Sequence, residues 1–319
     1  MRNKLLVFLP AAFGLATFAS VAAFAQGARA WRETSFVPTP IGEWTGPSLP
    51  DGQPDISGHW SNTIGNHNNL TDPQGPQGRN DEAPQNARQN ARPVRLRNER
   101  APSRVSDPPD GQVPFQPWAR EKQQEFQKFL NNPIKPEYVE PFARCAPGGP
   151  TKSFLWHGYE IRQFPGYVLF LFDSGNRVIH LDGKPHLPAN LKLWNGDSRG
   201  HWEGNTLVVD TTNNNSKARL GRSGEFVSEN ATIAERFIFD PNGDRFTYEA
   251  TYTDPTVLTR AFTITIPNRR VTDKTPVDDW NNLTFPAKHA GDEPVIEAYE
   301  RTCVEGNGNH GQVAQTLKQ

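Results

Sequence analysis

YEIRQFPGYVLFLFDSGNRVIHLD, residues 159–182, contains three runs of β-branched and aromatic residues divided by Pro165-Gly166 and by Ser174-Gly175-Asn176. Runs of strand length bounded by turn formers read as successive strands joined by hairpins. The same pattern continues toward the C-terminus. Strands are expected over 159–164, 167–172, 177–182, 198–203, 206–212, 232–239, 245–253, 258–267 and 295–303, with further turns at Glu203-Gly204-Asn205 and Asn242-Gly243-Asp244. On the N-terminal side, 55–60 reads as a first strand and 117–130 as a short helix opened by Pro117. So many strands with no helices between them predict an all-β fold. The expected form is a single antiparallel barrel of about 8–10 strands, closed so that no edge is left to pair with other chains.

The ends and the composition bound the rest. MRNKLLVFLPAAFGLATFASVAAFAQ opens with Arg2 and Lys4, continues as an apolar run, and reaches the small-x-small pattern Ala23-Phe24-Ala25. This reads as a cleaved export signal over 1–25, and predicts a periplasmic or secreted protein with no membrane span in the mature chain. An extended Pro-rich segment follows over 26–53. The barrel domain then occupies 54–319, interrupted at about 62–112 by an insertion rich in Asn, Gln, Pro and Arg, which predicts disorder. In an oxidising compartment the two cysteines, Cys145 and Cys303, are expected to pair. With 34 basic and 35 acidic residues the chain is nearly neutral, which argues against a nucleic-acid partner.

Chemistry-bearing residues crowd into HLDGKPHLPANLKLWNGDSRGHWEGNTLVVDTT, residues 180–212. His186 near Asp182 has the makings of a general base, and Trp194, Trp202, Glu203 and Asp210 are candidates to line or rim a ligand site. His180, Asp182 and His186 are zinc-ligand types. Two His around a turn fall short of the three or four protein ligands zinc takes, so no metal is expected. Gly196-x-Ser198-x-Gly200 is followed by a strand and not by a helix, so Ser198 reads as a turn residue and not as a nucleophile. No Gly-x-Gly-x-x-Gly or P-loop occurs, and no cofactor is expected.

Strand alternation applies a stricter test than crowding, because residues two apart share a face. Glu235 lies on the apolar face of Ile233, Phe237 and Phe239; Arg260 lies on that of Leu258, Phe262 and Ile264. Two interior ions need partners, so the pair is read either as a register-fixing ion pair or as a carboxylate poised for acid/base work beside a ligand-orienting Arg260. Two functions follow. One is an acid/base enzyme of isomerase, lyase or hydrolase type acting on a small, fairly apolar molecule in the barrel mouth. The other is a non-catalytic carrier of such a molecule. Convergence of Asp182, His186, Glu235 and Arg260 on one site would mark the enzyme.

Two resemblances bear on this reading. Gly58-x-Trp60 resembles the Gly-x-Trp of lipocalin-like barrels, which implies that the indole plugs the closed end under an Arg of a late strand, with Arg301 as the expected partner. PDISGHW (54–60), CAPGGP (145–150), DGKPH (182–186), GDSRGHWEGNTLVVDT (196–211) and CVEGN (303–307) together resemble the motifs of a large uncharacterised secreted family of Gram-negative bacteria. That resemblance implies relatedness and export, and no particular reaction. The chain departs from the family pattern at Asn213-Asn214-Asn215, where relatives tend to have a Gly-Phe segment. It departs again at Val227-Ser228-Glu229, where they tend to carry a His.

Overall fold

Nine strands close into a barrel in the computed structural model, which describes residues 38–62, 70–71, 103–129, 133–155, 158–172, 175–221, 223–271, 287–288 and 294–295. In chain order the strands are β1 (Gly58–Asn62), β2 (Val105–Asp107), β3 (Gly158–Phe164), β4 (Tyr167–Phe172), β5 (Gly175–His180), β6 (Asp197–Glu203), β7 (Thr206–Thr212), β8 (Thr232–Phe239), β9 (Arg245–Thr253) and β10 (Phe262–Arg270). Strands β3 to β10 follow one another around the wall, and β1 closes it by pairing with both β3 and β10. Strand β2 lies outside the ring and adds to β10. The all-β barrel expected from the turn pattern is therefore the fold.

One pairing departs from the antiparallel scheme. β5 and β6 run parallel, with Ile179 opposite Ser198 and His180 opposite Arg199. A tight turn cannot join parallel neighbours. The connection over 181–196 supplies the length instead, and Asn213 pins it. That residue takes a left-handed conformation (φ 59°), and its amide donates to the carbonyls of Leu187, Pro188 and Leu191. Asn213 is thus the clamp on this crossover.

Alternation sorts the interior. Ile233, Glu235, Phe237 and Phe239 of β8 and Phe246, Tyr248, Ala250 and Tyr252 of β9 all point inward and are buried. At one end Trp60 lies edge-on to Phe239 and Phe246, and the Arg270 guanidinium stacks 4.6 Å from its ring centre. The Arg over the indole is therefore Arg270 on β10, because β10 is the strand that closes onto β1 with Trp60 opposite Arg270. Arg301 lies outside the described residues, as does nearly all of the strand expected over 295–303.

The opposite end, where β8 begins and β9 ends, is capped. Helix α1 (Pro117–Lys128) buries Ala119, Gln123 and Phe126, and Phe126 meets Tyr138 and Phe226 edge-on. A 3-10 turn, Lys152–Leu155, drops Phe154 into the lumen against Tyr159, Phe170, Phe172, Phe237 and Tyr248. Pieces of the insertion expected to be disordered also pack here. Leu70 is fully buried, Val105–Asp107 is a strand, and Arg104 is enclosed, with burial pulling its guanidinium down to about 9. The remainder of that insertion, residues 1–37 and Cys303 lie outside the described residues. No helix among the described residues is long and apolar enough to cross a membrane.

Candidate functional site

Glu235 is held by Arg177, not by Arg260. Arg177 Nη1 donates to Glu235 Oε1 at 2.9 Å and Nη2 to Oε2, with both side chains almost wholly enclosed. Thr211 donates to Oε2 at 2.7 Å and Tyr248 to Oε1, so both carboxylate oxygens are saturated. Ser198 accepts from Arg177 Nη2 at 2.9 Å, which makes it an inward residue of β6 and not a turn residue. Burial alone would lower the Arg177 guanidinium, but the facing Glu235 charge holds it above its ordinary value. Arg260 sits in the bends before β10, half exposed, and bonds Asp107. The alternation that placed it inside assumed a strand from residue 258, whereas 255–257 turn, Leu258 makes only an isolated bridge to Phe115, 259–260 bend and β10 begins at Phe262.

His186 lies between two carboxylates. Its Nδ1 is 2.8 Å from Asp197 and its Nε2 is 2.9 Å from Asp210. Asp197 is enclosed, and it also accepts from the Leu187 N–H and from Arg199 Nε. Burial would raise the Asp197 carboxyl, but Arg199, that N–H and His186 together hold it below the usual range. Asp182 pairs with Lys184 and Arg199, and hydrogen bonds from Lys184 lower its carboxyl. With both ring nitrogens engaged and Asp210 largely exposed, this is a surface polar network that fastens the crossover connection. Glu203 bonds His201 on the exposed rim, and Trp202 packs toward Phe239 at the closed end. Asp182, His186, Glu235 and Arg260 therefore do not converge. Among the described residues, no group of three or more His, Cys, Asp or Glu is placed to hold a metal ion.

One predicted residue does reach a cavity. Trp194 lines a cleft at the capped mouth together with Gly149, Thr151, Lys152, Arg219 and Tyr252. The cleft offers about 20 Å³, room for a water or one small functional group. A hydrogen-bond chain joins it to the lumen. Thr151 Oγ1 lies 2.5 Å from Tyr252 and 3.2 Å from Tyr248, and Tyr248 donates to Glu235. Every hydroxyl is satisfied when Tyr252 donates to Thr151, Thr151 to Tyr248 and Tyr248 to the carboxylate. Burial pushes both tyrosines above their ordinary values, so these hydroxyls stay protonated.

At the cleft the cap also gathers charges that the sequence reading did not single out, Lys152 and Arg219 in its lining and Glu225 near them. Lys152 is fully enclosed and pairs with Glu140. Burial lowers its ammonium, against the pull of Glu140. Glu225 is enclosed with Oε2 unpartnered, and burial raises its carboxyl. Arg219, stacked 3.9 Å from the centre of Phe126, is pulled down by burial to about 10. These residues lie in loops and 3-10 turns, where no period marks an inward face. The one legible signal was the Gly and Pro density of 147–150.

Fold and site together define a β-barrel whose lumen is filled by side chains and whose small cleft lies at a capped mouth. Comparison with family models, with curated proteins and with solved structures finds no match to this chain.

Proposed function

We propose that this protein is exported and binds a small molecule at the mouth of the barrel, in the cleft of Trp194, Thr151, Lys152, Arg219 and Tyr252, and not in the lumen. The filled lumen carries this reading. Phe154, Phe170, Phe237, Tyr248 and the Arg177–Glu235 pair occupy the barrel interior, which leaves the mouth as the place open to a guest. The cleft offers an indole wall and apolar Leu220, Val227 and Ile233 with a few polar groups, a composition suited to a small, fairly apolar molecule bearing one polar function. Saturation-transfer NMR with phenol, benzaldehyde and benzoate tests it. At least one should bind, and Trp194→Ala should weaken it by about tenfold, the loss of an aromatic wall worth about 1.4 kcal/mol. Binding that Trp194→Ala leaves unchanged would overturn the cleft.

The resemblance to a secreted family and the basic, apolar, Ala-Phe-Ala N-terminus support export, with the mature chain beginning near Gln26. On this reading Cys145, which follows the 3-10 turn Pro141–Arg144 and leads into the cleft wall, is bridged to Cys303 and anchors the cap. Protein from the periplasm should gain two hydrogens in intact mass on reduction, and only then accept two alkyl groups. Two alkylatable thiols before reduction would remove the bridge.

A further inference from the structure

We propose that Lys152 is a covalent site whose amine condenses with the carbonyl of a small aldehyde or ketone held in the mouth cleft. The inference rests on the cleft reading above and names its ligand class.

Long cationic side chains reach the surface whenever they can, and a lysine is almost never fully enclosed. Lys152 is enclosed down to its ammonium group, in the segment that forms the cleft wall with Gly148, Gly149 and Thr151. Its ion-pair partner Glu140 is itself partly exposed, and the ring of Phe142 lies 5.1 Å from Nζ. An amine desolvated beside an apolar ring, with a carboxylate in contact to take its proton, is the arrangement that makes lysine a nucleophile toward carbonyls. Burial favours the neutral amine here, as the lowered ammonium reflects.

A second observation points the same way. Glu225 sits close enough for Lys152 to act on its charge, and the Thr71 hydroxyl lies 3.4 Å from its Oε1. Its Oε2 has no hydrogen-bond partner and packs on the bare face of Gly221, where any Cβ would come within 2.6 Å of it. An enclosed carboxyl that burial pushes up, next to an enclosed ammonium that burial pushes down, is a pair whose environments suit acid and base work. The cleft admits a carbonyl group and little more, so the rest of the ligand would lie along Trp194.

The chemistry balances. Lys152 passes one proton to Glu140, and the neutral amine adds to the carbonyl carbon, forming the C–N bond as the C=O pair moves to oxygen. That oxygen leaves as water with the two remaining amine protons, and the C=N bond forms. Amine and carbonyl give imine and water. Glu225 lends a proton to the departing oxygen and regains one.

The test is reductive trapping on the full mature chain, with acetone or propanal and cyanoborohydride near neutral pH, followed by peptide mapping. Lys152 should be alkylated at least about tenfold faster than the exposed Lys184 and the half-buried Lys192, although it is the most buried amine of the three. Glu140→Gln keeps the shape of the partner and should slow trapping by about 100-fold; Lys152→Arg should abolish it while leaving the other lysines reactive. Labelling of Lys184 and Lys192 ahead of Lys152 would overturn the proposal. If benzaldehyde still binds in a Trp194-dependent way while Lys152 stays unlabelled, the imine fails and the cleft stands. If neither is seen, both fail.

Discussion

Replacing Arg177 with methionine should cost the fold about 3–5 kcal/mol, the range for removing one partner of a buried ion pair. Methionine keeps much of the side-chain volume, so packing is not the main loss. What remains is Glu235, enclosed by β7, β8 and β9, with only Thr211 and Tyr248 to answer its charge. The two carboxylate oxygens lose three hydrogen-bond or ionic contacts in effect: both guanidinium bonds and the opposite charge itself. Urea unfolding of the purified protein measures the change. A second variant separates charge from shape. Arg177→Met with Glu235→Leu removes the pair as a whole and should return most of the lost stability, since a well-packed apolar substitute is often neutral. A loss below about 1 kcal/mol in Arg177→Met would mean that water or neighbouring donors already solvate the carboxylate, and that the lumen is not sealed.

The identity of that partner shows where sequence reasoning succeeds and stops. Alternation along β8 correctly places Glu235 inside, because Ile233, Phe237 and Phe239 share its face. Applied to β5, the same rule puts Arg177 on the face of Ile179, and both are buried. Choosing Arg260 required a strand boundary four residues too early, and boundaries are the weakest part of a pattern-based reading. Which strands face each other across a lumen depends on closure. β5 and β8 are separated by two strands in the wall, so their contact becomes visible only once the barrel is built. Trp60 repeats the lesson, since Gly-x-Trp announces a covered indole while the choice between Arg270 and Arg301 depends on which strand closes onto β1. Ser228 donates its backbone N–H and its hydroxyl to Asp254 and ties the cap loop to the end of β9, a role that no strand pattern announces. The cap itself was illegible because 3-10 turns and loops impose no repeat by which Phe154, Lys152 or Glu225 could be sorted inward.

Phe154 makes the sharpest test of a filled barrel. Its ring touches five aromatic residues from β3, β4, β8 and β9, at centroid separations from 4.5 to 5.6 Å, so it serves as the stopper between cap and lumen. Phe154→Ala should cost about 3–5 kcal/mol, combining lost transfer energy with an unfilled cavity. The surrounding rings belong to strands fixed by hydrogen bonds on both sides, so the wall cannot follow the missing ring inward. The void would be lined mainly by apolar ring carbons, and such voids stay dry and accept small aromatic molecules. Toluene should therefore raise the melting temperature of Phe154→Ala and leave that of the wild type unchanged. At 100 times its dissociation constant a ligand specific for the native state contributes about 2.7 kcal/mol, so roughly half or more of the loss should be recoverable. Equal responses in both proteins would mean that the wild-type lumen already has room for a guest, and ligand binding would move from the mouth to the interior. A loss near zero with no toluene response would show that the cap resettles into the gap, in which case Phe154 is not what separates this barrel from a hollow one.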